Sequence, residues 1–273
     1  RDFCLSRGLG DVYKRQVDNR DLELSSVLDK ETIEALCDRR FGIGADGLIA
    51  VEPSRGKGGT VRMRYYNADG GEAEMCGNGA RCFGNFAAAL LHHDKSAPLP
   101  FETMAGIVTA TFEKDGNVTV NLTDPHSLQL FVLNADPAVG ADVHFLNTGV
   151  PHAVAFLDKL DGLDVPRLGA YLRYHSAFSP KGTNANFARI LSPGHIAIRT
   201  YERGVEDETL ACGTGMTASA LLHAVLTDAP SPIQVDVAGG DTLKVGFQRT
   251  GDRFTSVTLT GPADLVFTGD IEL

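Results

Sequence analysis

The chain has 273 residues, 43% hydrophobic and 22% charged, with a formal net charge of −10. That is enough apolar material for one large or two ordinary domains with real cores. The acidic balance argues against a nucleic-acid binder and an anionic membrane surface, and no run approaches the ~18 apolar residues of a membrane span.

In chain order, Arg1 to Gln16 is basic in an otherwise acidic protein and reads as a loop or frayed terminus. No signal-peptide-like apolar stretch follows it, so export is not expected. Ser26 or Asp29 starts a helix over Lys30–Arg40, with Ile33, Leu36 and Cys37 on one face. Leu48–Val51 is a strand, and Val61–Tyr66 alternates like a half-buried one. Cys82, Phe83, Phe86, Ala87, Leu90 and Leu91 recur at helical spacing and predict a helix over Gly79–His92. Short strands follow at Phe101–Met104, Ile107–Glu113 and Val118–Leu122, while Pro125–Gly140 is irregular or extended.

His144–Leu146 and Ala153–Leu157 are strands, Pro166–Tyr174 a helix, and Asn184–Leu191 and His195–Tyr201 strands around the turn Ser192-Pro193-Gly194. Gly215–Leu226 is apolar nearly all round, the pattern of a buried helix. Ile233–Val237, Thr242–Phe247, Thr255–Leu259 and Ala263–Phe267 close the chain as strands. The order is strands, a buried helix, strands, a second buried helix and strands, a duplicated α+β pattern. It divides into residues 1–122 with a returning tail 260–273, and residues 123–259.

Both helices are entered through a cysteine turn: Met75-Cys76-Gly77-Asn78-Gly79 and Ala211-Cys212-Gly213-Thr214-Gly215, about half the chain apart. Five cysteines, odd in number and without a C-x-x-C pair, fit a reducing cytoplasm better than a disulfide framework or zinc site. Cys4, Cys37 and Cys82 read as inert hydrophobes. Cys76 and Cys212 differ, because each stands where a strand hands over to a helix. A helix N-terminus carries partial positive charge, which favours a thiolate placed there, and its uncovered N–H groups can hold a carboxylate. The pair suits either a redox couple or an acid and a base on opposite faces of one carbon. Gly42-x-Gly44-x-x-Gly47 matches the dinucleotide fingerprint by letter only, since no strand precedes it and no helix follows. No residue grouping has metal-ligand spacing.

Asn67-Ala68-Asp69-Gly70, Met75 to Cys82, Tyr201-Glu202-Arg203-Gly204 and Ala211 to Gly215 together resemble the diaminopimelate epimerases, from about Val17 onward. The resemblance implies two pseudo-symmetric α+β domains, each a barrel-like mixed sheet around a central helix. It implies cofactor-independent inversion of LL-diaminopimelate to the meso isomer, with Cys76 and Cys212 as acid/base pair. By motif match, Gly77, Asn78, Gly213 and Thr214 hold the α-carboxylate through backbone N–H groups. Asn67, Asn184 and Arg203 bind the remaining ammonium and carboxylate groups, and Glu202, with His152, orients the site. A homodimer is compatible with it. Two thiols close enough to flank one carbon are also expected to form a disulfide on oxidation.

The related proline racemases carry His where Asn78 stands. A proline-type racemase is the alternative, and an inactive or redox-sensing homologue a further one. Two departures stand out. Val150 replaces the family's Asn in Gly149-Val150-Pro151-His152, and Gly8-Leu9-Gly10-Asp11 only partly echoes the opening Gly-x-Gly-Asn-Asp. The segment before Val17 is therefore expected to lack the family's first strand and its substrate contact.

Overall fold

A computed structural model describes the backbone of residues 2–9 and 12–272 and the side chains of residues 13–272; the side chain of Cys4 and the Gly10-Asp11 part of the opening echo lie outside these. The chain divides into two compact units, residues up to 121 with 260 onward, and residues 122–259. Leu122 thus belongs to the second unit.

The first unit begins with strands β1 (Asp2–Leu9) and β2 (Val12–Asp18), then helix α1 (Lys30–Cys37), β3 (Gly47–Pro53), β4 (Val61–Asn67) and the short β5 (Glu72–Ala73). Helix α2 (Gly77–Leu90) and strands β6 (Leu99–Thr103), β7 (Gly106–Phe112) and β8 (Val118–Asn121) follow. β1 pairs antiparallel with β2, β2 parallel with β3, β3 antiparallel with β4, β4 parallel with β6, and β6–β7–β8 continue antiparallel. The returning C-terminal strand Asp264–Asp270 pairs with the free side of β1. α2 packs against β1, β2, β3, β4, β6, β7 and β8, so this sheet wraps around it.

The second unit repeats that plan. It comprises β9 (His126–Asp136), β10 (Ala141–Asn147), β11 (Pro151–Phe156), α3 (Val165–Arg173), β12 (Asn184–Ser192) and β13 (His195–Glu202). Then come β14 (Asp207–Thr209), α4 (Gly213–Thr227), β15 (Ile233–Asp236), β16 (Thr242–Thr250) and β17 (Arg253–Gly261). β11 runs parallel to β12, β12 antiparallel to β13, β13 parallel to β15, and β15 antiparallel to β16. The sequence β2–α1–β3–β4–β5–α2–β6–β7 is matched element for element by β11–α3–β12–β13–β14–α4–β15–β16. α4 packs against β10, β11, β12, β13, β15 and β16. Its Met216, Leu221 and Leu222 are fully buried, each stabilising the unit by about 1.5–3 kcal/mol. Burial on every side explains why this helix is apolar all round.

The expectation of a loop over Arg1–Gln16 is corrected. Among the described residues, Phe3 faces Val17 and Leu5 faces Arg15 in an antiparallel ladder. The basic residues of β2 are interior rather than solvated: Lys14 is 3% and Arg15 4% exposed. Lys14 Nζ donates to Tyr65 OH (3.1 Å) and to the Asp46 carbonyl (3.1 Å), and Arg15 Nε donates to the Gly44 carbonyl (3.1 Å). Burial works to lower the Lys14 pKa, but Tyr65, Cys76 and Asp46 outweigh it and hold the ammonium charged. A strand whose buried side chains are polar has no apolar alternation to read.

The stretch read as irregular or extended is the strand β9, and it is both. Its residues Ser127, Phe131 and Ala135 have positive φ (58°, 54° and 41°), and its register against β10 shifts three times. Each shift breaks the two-residue period. The Gly42–Gly47 loop follows a helix and precedes a strand, as its context required. A Cβ on Gly42 would lie 1.9 Å from the Ala35 carbonyl oxygen, so glycine there serves close packing.

The loop after β3 is held by one carboxylate. Glu102 on β6 accepts from Ser54 Oγ (2.7 Å) and from the backbone N–H groups of Arg55 (2.9 Å) and Lys57 (2.7 Å). Those bonds, Ser54's first, depress its pKa from 4.5 to about 2. The stabilisation is therefore complete above about pH 4.5 and lost as pH falls through about 2. Glu102→Gln is expected to lower the thermal midpoint at pH 7, with the gap to wild type closing as pH drops across that window. An unchanged gap from pH 7 to pH 2 would contradict this role.

Candidate active site

The two cysteine turns are built alike. Cys76 caps α2 in extended conformation (φ −142°, ψ 114°), and its Sγ accepts the Gly79 N–H at 3.3 Å. Cys212 caps α4 in nearly the same conformation (φ −118°, ψ 110°) without a side-chain capping bond, its Sγ resting 3.5 Å from Thr214 Oγ1. In each unit a strand ends (β4, β13), a short antiparallel strand turns back (β5, β14), and the cysteine opens the buried helix.

In the first unit, Asn67 closes β4 exposed to solvent, with its N–H donating to the Gly71 carbonyl (2.9 Å) across the turn. Gly77 and Asn78 form the buried first turn of α2. The Asn78 carboxamide accepts from Arg81 Nη2 (3.2 Å), and Arg81, although charged, is fully buried and also reaches the Pro262 carbonyl (3.4 Å). Cys82 is fully buried, and burial raises the pKa of the buried Cys37 to about 11. Both behave as inert core thiols.

The second unit brings together Cys212, Gly213, Thr214, His152, Asn184, Glu202 and Arg203. Asn184 opens β12 and uses its amide twice: Oδ1 accepts the Arg203 N–H (2.7 Å), and Nδ2 donates to the Pro151 carbonyl (3.0 Å). One N–H and one lone pair of that amide remain beyond these two bonds. Glu202 Oε2 accepts from Thr209 Oγ1 (3.0 Å), which ties the end of β13 to β14. Arg203 Nη1 reaches the Lys181 carbonyl at 3.4 Å. Thr148 Oγ1 donates to the Thr214 carbonyl (2.9 Å) and pins the first turn of α4 to the chain leaving β10. Next to Val150, Asn147 accepts the Gly149 N–H (3.0 Å).

His152 is wholly buried beside Asn184 in register. Burial, then the charge of Arg203, pushes its pKa down to about 3, so the ring is neutral at ordinary pH. Its Nδ1 lies 3.1 Å from Asn186 Nδ2, and Asn186 Oδ1 accepts from Thr200 Oγ1 (3.0 Å). Asn186 and Thr200 were missed in the sequence. The signal was present: Asn184 and Asn186 alternate on one strand and therefore share a face.

Among the described residues no group of three or more His, Cys, Asp or Glu side chains is placed to hold a metal ion, and no helix is long and apolar enough to cross a membrane.

The scaffold places the chain in a known structural class. It matches a phenazine biosynthesis protein of the PhzF family from Bacillus anthracis with a TM-score of 0.72 at 14% identity, covering 100% of this chain and 99% of that one. A probable proline racemase from Agrobacterium radiobacter matches with a TM-score of 0.68 at 18% identity, covering 100% and 93%. These likenesses define the fold: two repeated α+β halves, each a mixed sheet around a buried helix. Within that class the chain belongs to the diaminopimelate epimerase family, whose family model matches residues 3–128 and 144–266. Relatives described as diaminopimelate epimerase are 43% identical in Chlorobaculum tepidum (90% of this chain, 93% of that one) and 39% identical in a Hydrogenobaculum strain (93% and 92%). The relative from Aquifex aeolicus is 37% identical over 98% of this chain and 96% of its own.

Proposed function

We propose that this protein is an isomerase that interconverts LL- and meso-diaminopimelate, using Cys76 and Cys212 as its proton-transferring pair. The observation that carries this reading is the repeated placement of one cysteine as the cap of the buried helix in each half, within a chain of this family.

The chemistry is a proton exchange. One cysteine, as thiolate, takes the α-proton, and the C–H electron pair passes into a carbanion delocalised onto the α-carboxylate. The other, as thiol, delivers a proton to the opposite face of the same carbon. Configuration inverts, nothing is oxidised or reduced, and the two sulfurs exchange protonation states, ready for the reverse direction. The N–H groups of Gly77, Asn78, Gly213 and Thr214 hold the α-carboxylate at the two helix N-termini, where partial positive charge offsets the charge that builds up. Asn67, Asn184 and Arg203 bind the substrate's ammonium and carboxylate groups, Arg203 as a planar two-pronged donor. Glu202 and His152 orient the site.

Incubation of the protein with LL-diaminopimelate in deuterium oxide tests the reading. The expected result is deuterium at the inverted α-carbon together with the meso isomer, and no turnover of proline. Absence of both exchange and isomerisation would overturn it.

A further inference from the structure

We infer that Asn186 is a positioning residue that fixes His152 as the Nε2–H tautomer, so that the ring presents one buried N–H donor to an acceptor atom of the bound amino acid. The catalytic consequence rests on the function proposed above; the tautomer does not.

The assignment follows from which groups can only accept. The Ala153 carbonyl has no proton to give, so the Asn186 amide atom 3.0 Å from it is the NH2 group. Thr200 Oγ1, 3.0 Å from the other side of the amide, then donates to Oδ1. The same NH2 group lies 3.1 Å from His152 Nδ1. A donor on that side leaves Nδ1 as acceptor, and a neutral ring must then carry its hydrogen on Nε2. Nε2 is buried and has no hydrogen-bond partner among the described residues. An N–H left unpaired in the interior carries an unrepaid desolvation cost, which a bound acceptor would relieve. The charge acting on His152 is the Arg203 guanidinium, which leaves a neutral donor beside a cation. That combination fits an anionic or carbonyl oxygen.

The amide cannot drift. Asn186 sits on β12 directly opposite Thr200 on β13, and its Oδ1 is wedged against the first turn of α4, where a Cβ on Gly215 would come within 2.3 Å of it. Asn186 therefore links the Cys212 turn to the ring of His152.

The test is nitrogen-15 NMR of histidine-labelled protein, with His152→Gln used to assign one signal among the eight histidines. The expected spectrum has His152 protonated at Nε2, unprotonated at Nδ1, and untitrated from about pH 5 to 8. A proton on Nδ1 in the wild-type protein would overturn the inference without any variant. In Asn186→Asp the carboxylate accepts from the ring, so Nδ1 should gain a proton and the ring should titrate. The kcat should fall by about tenfold or more with a smaller change in KM, since a wrong tautomer disables an otherwise intact site, and the pH profile should gain an ionisation. An Asn186→Asp enzyme with unchanged spectrum and pH profile would also refute it. Wild-type protein showing the Nε2–H tautomer but no exchange of diaminopimelate would instead strike the functional reading.

Discussion

Cys76→Ala and Cys212→Ala are each expected to reduce LL-to-meso conversion by at least about 10²–10⁴-fold, the contribution of a positioned acid or base. Solvent-deuterium incorporation should fall with it. The two variants should differ in stability even though they share the loss of activity. Cys76 Sγ accepts the Gly79 N–H, so alanine removes a helix cap worth about 0.5–2 kcal/mol. Cys212 makes no such capping bond, so its replacement carries no comparable loss of a helix cap. Cys76→Ser separates the two effects. Its hydroxyl can restore the cap but, as a far weaker acid than a thiol, cannot restore the thiolate. Stereoinversion at wild-type rate in either alanine variant would sink the two-thiol mechanism.

Gly215→Ala should be strongly destabilising while the matching change in the other half, Gly79→Ala, is close to neutral. Both glycines occupy the third residue of a buried helix, where alanine gains about 1 kcal/mol of intrinsic helix propensity. What the new methyl meets decides the sign. At Gly79 the nearest atoms are Ile49 Cδ1 at 3.2 Å, Cys76 Cβ at 3.3 Å and Met63 Cε at 3.4 Å; two of the three are flexible side-chain tips. At Gly215 the nearest is Asn186 Oδ1 at 2.3 Å, in an amide held by Thr200, Ala153 and His152. An overpacked site of that kind costs about 1–3 kcal/mol, and any yielding of Asn186 releases His152, so activity falls too. Thermal unfolding of the two variants side by side decides it: equal shifts in midpoint would contradict this account.

The difference between the two glycines shows where sequence reading stops. Gly79 and Gly215 stand in near-identical motifs, and no local pattern distinguishes them. The distinction comes from β12 and β13, which set Asn186 against α4 and supply no counterpart at α2. The same limit hid β2. Its Lys14 and Arg15 fall in a segment that reads as a loop or frayed terminus, yet each finds carbonyl or hydroxyl partners on the chain from α1 through β4. Arg81 gives no sign in the sequence of being fully buried, because its partner at Pro262 arrives from the far end of the chain.

The sequence by itself determined the elements whose signal is local. These are the two cysteine-capped buried helices, the alternating strands around them, the duplicated order and the family. Periodicity, glycine turns and the spacing of motif residues act within a few positions, so they survive in one dimension. Only the tertiary structure decided which polar side chains are interior, and which amide orients His152. Those outcomes depend on hydrogen-bond partners dozens of residues away, and a buried polar group is tolerated only where such a partner is brought to it.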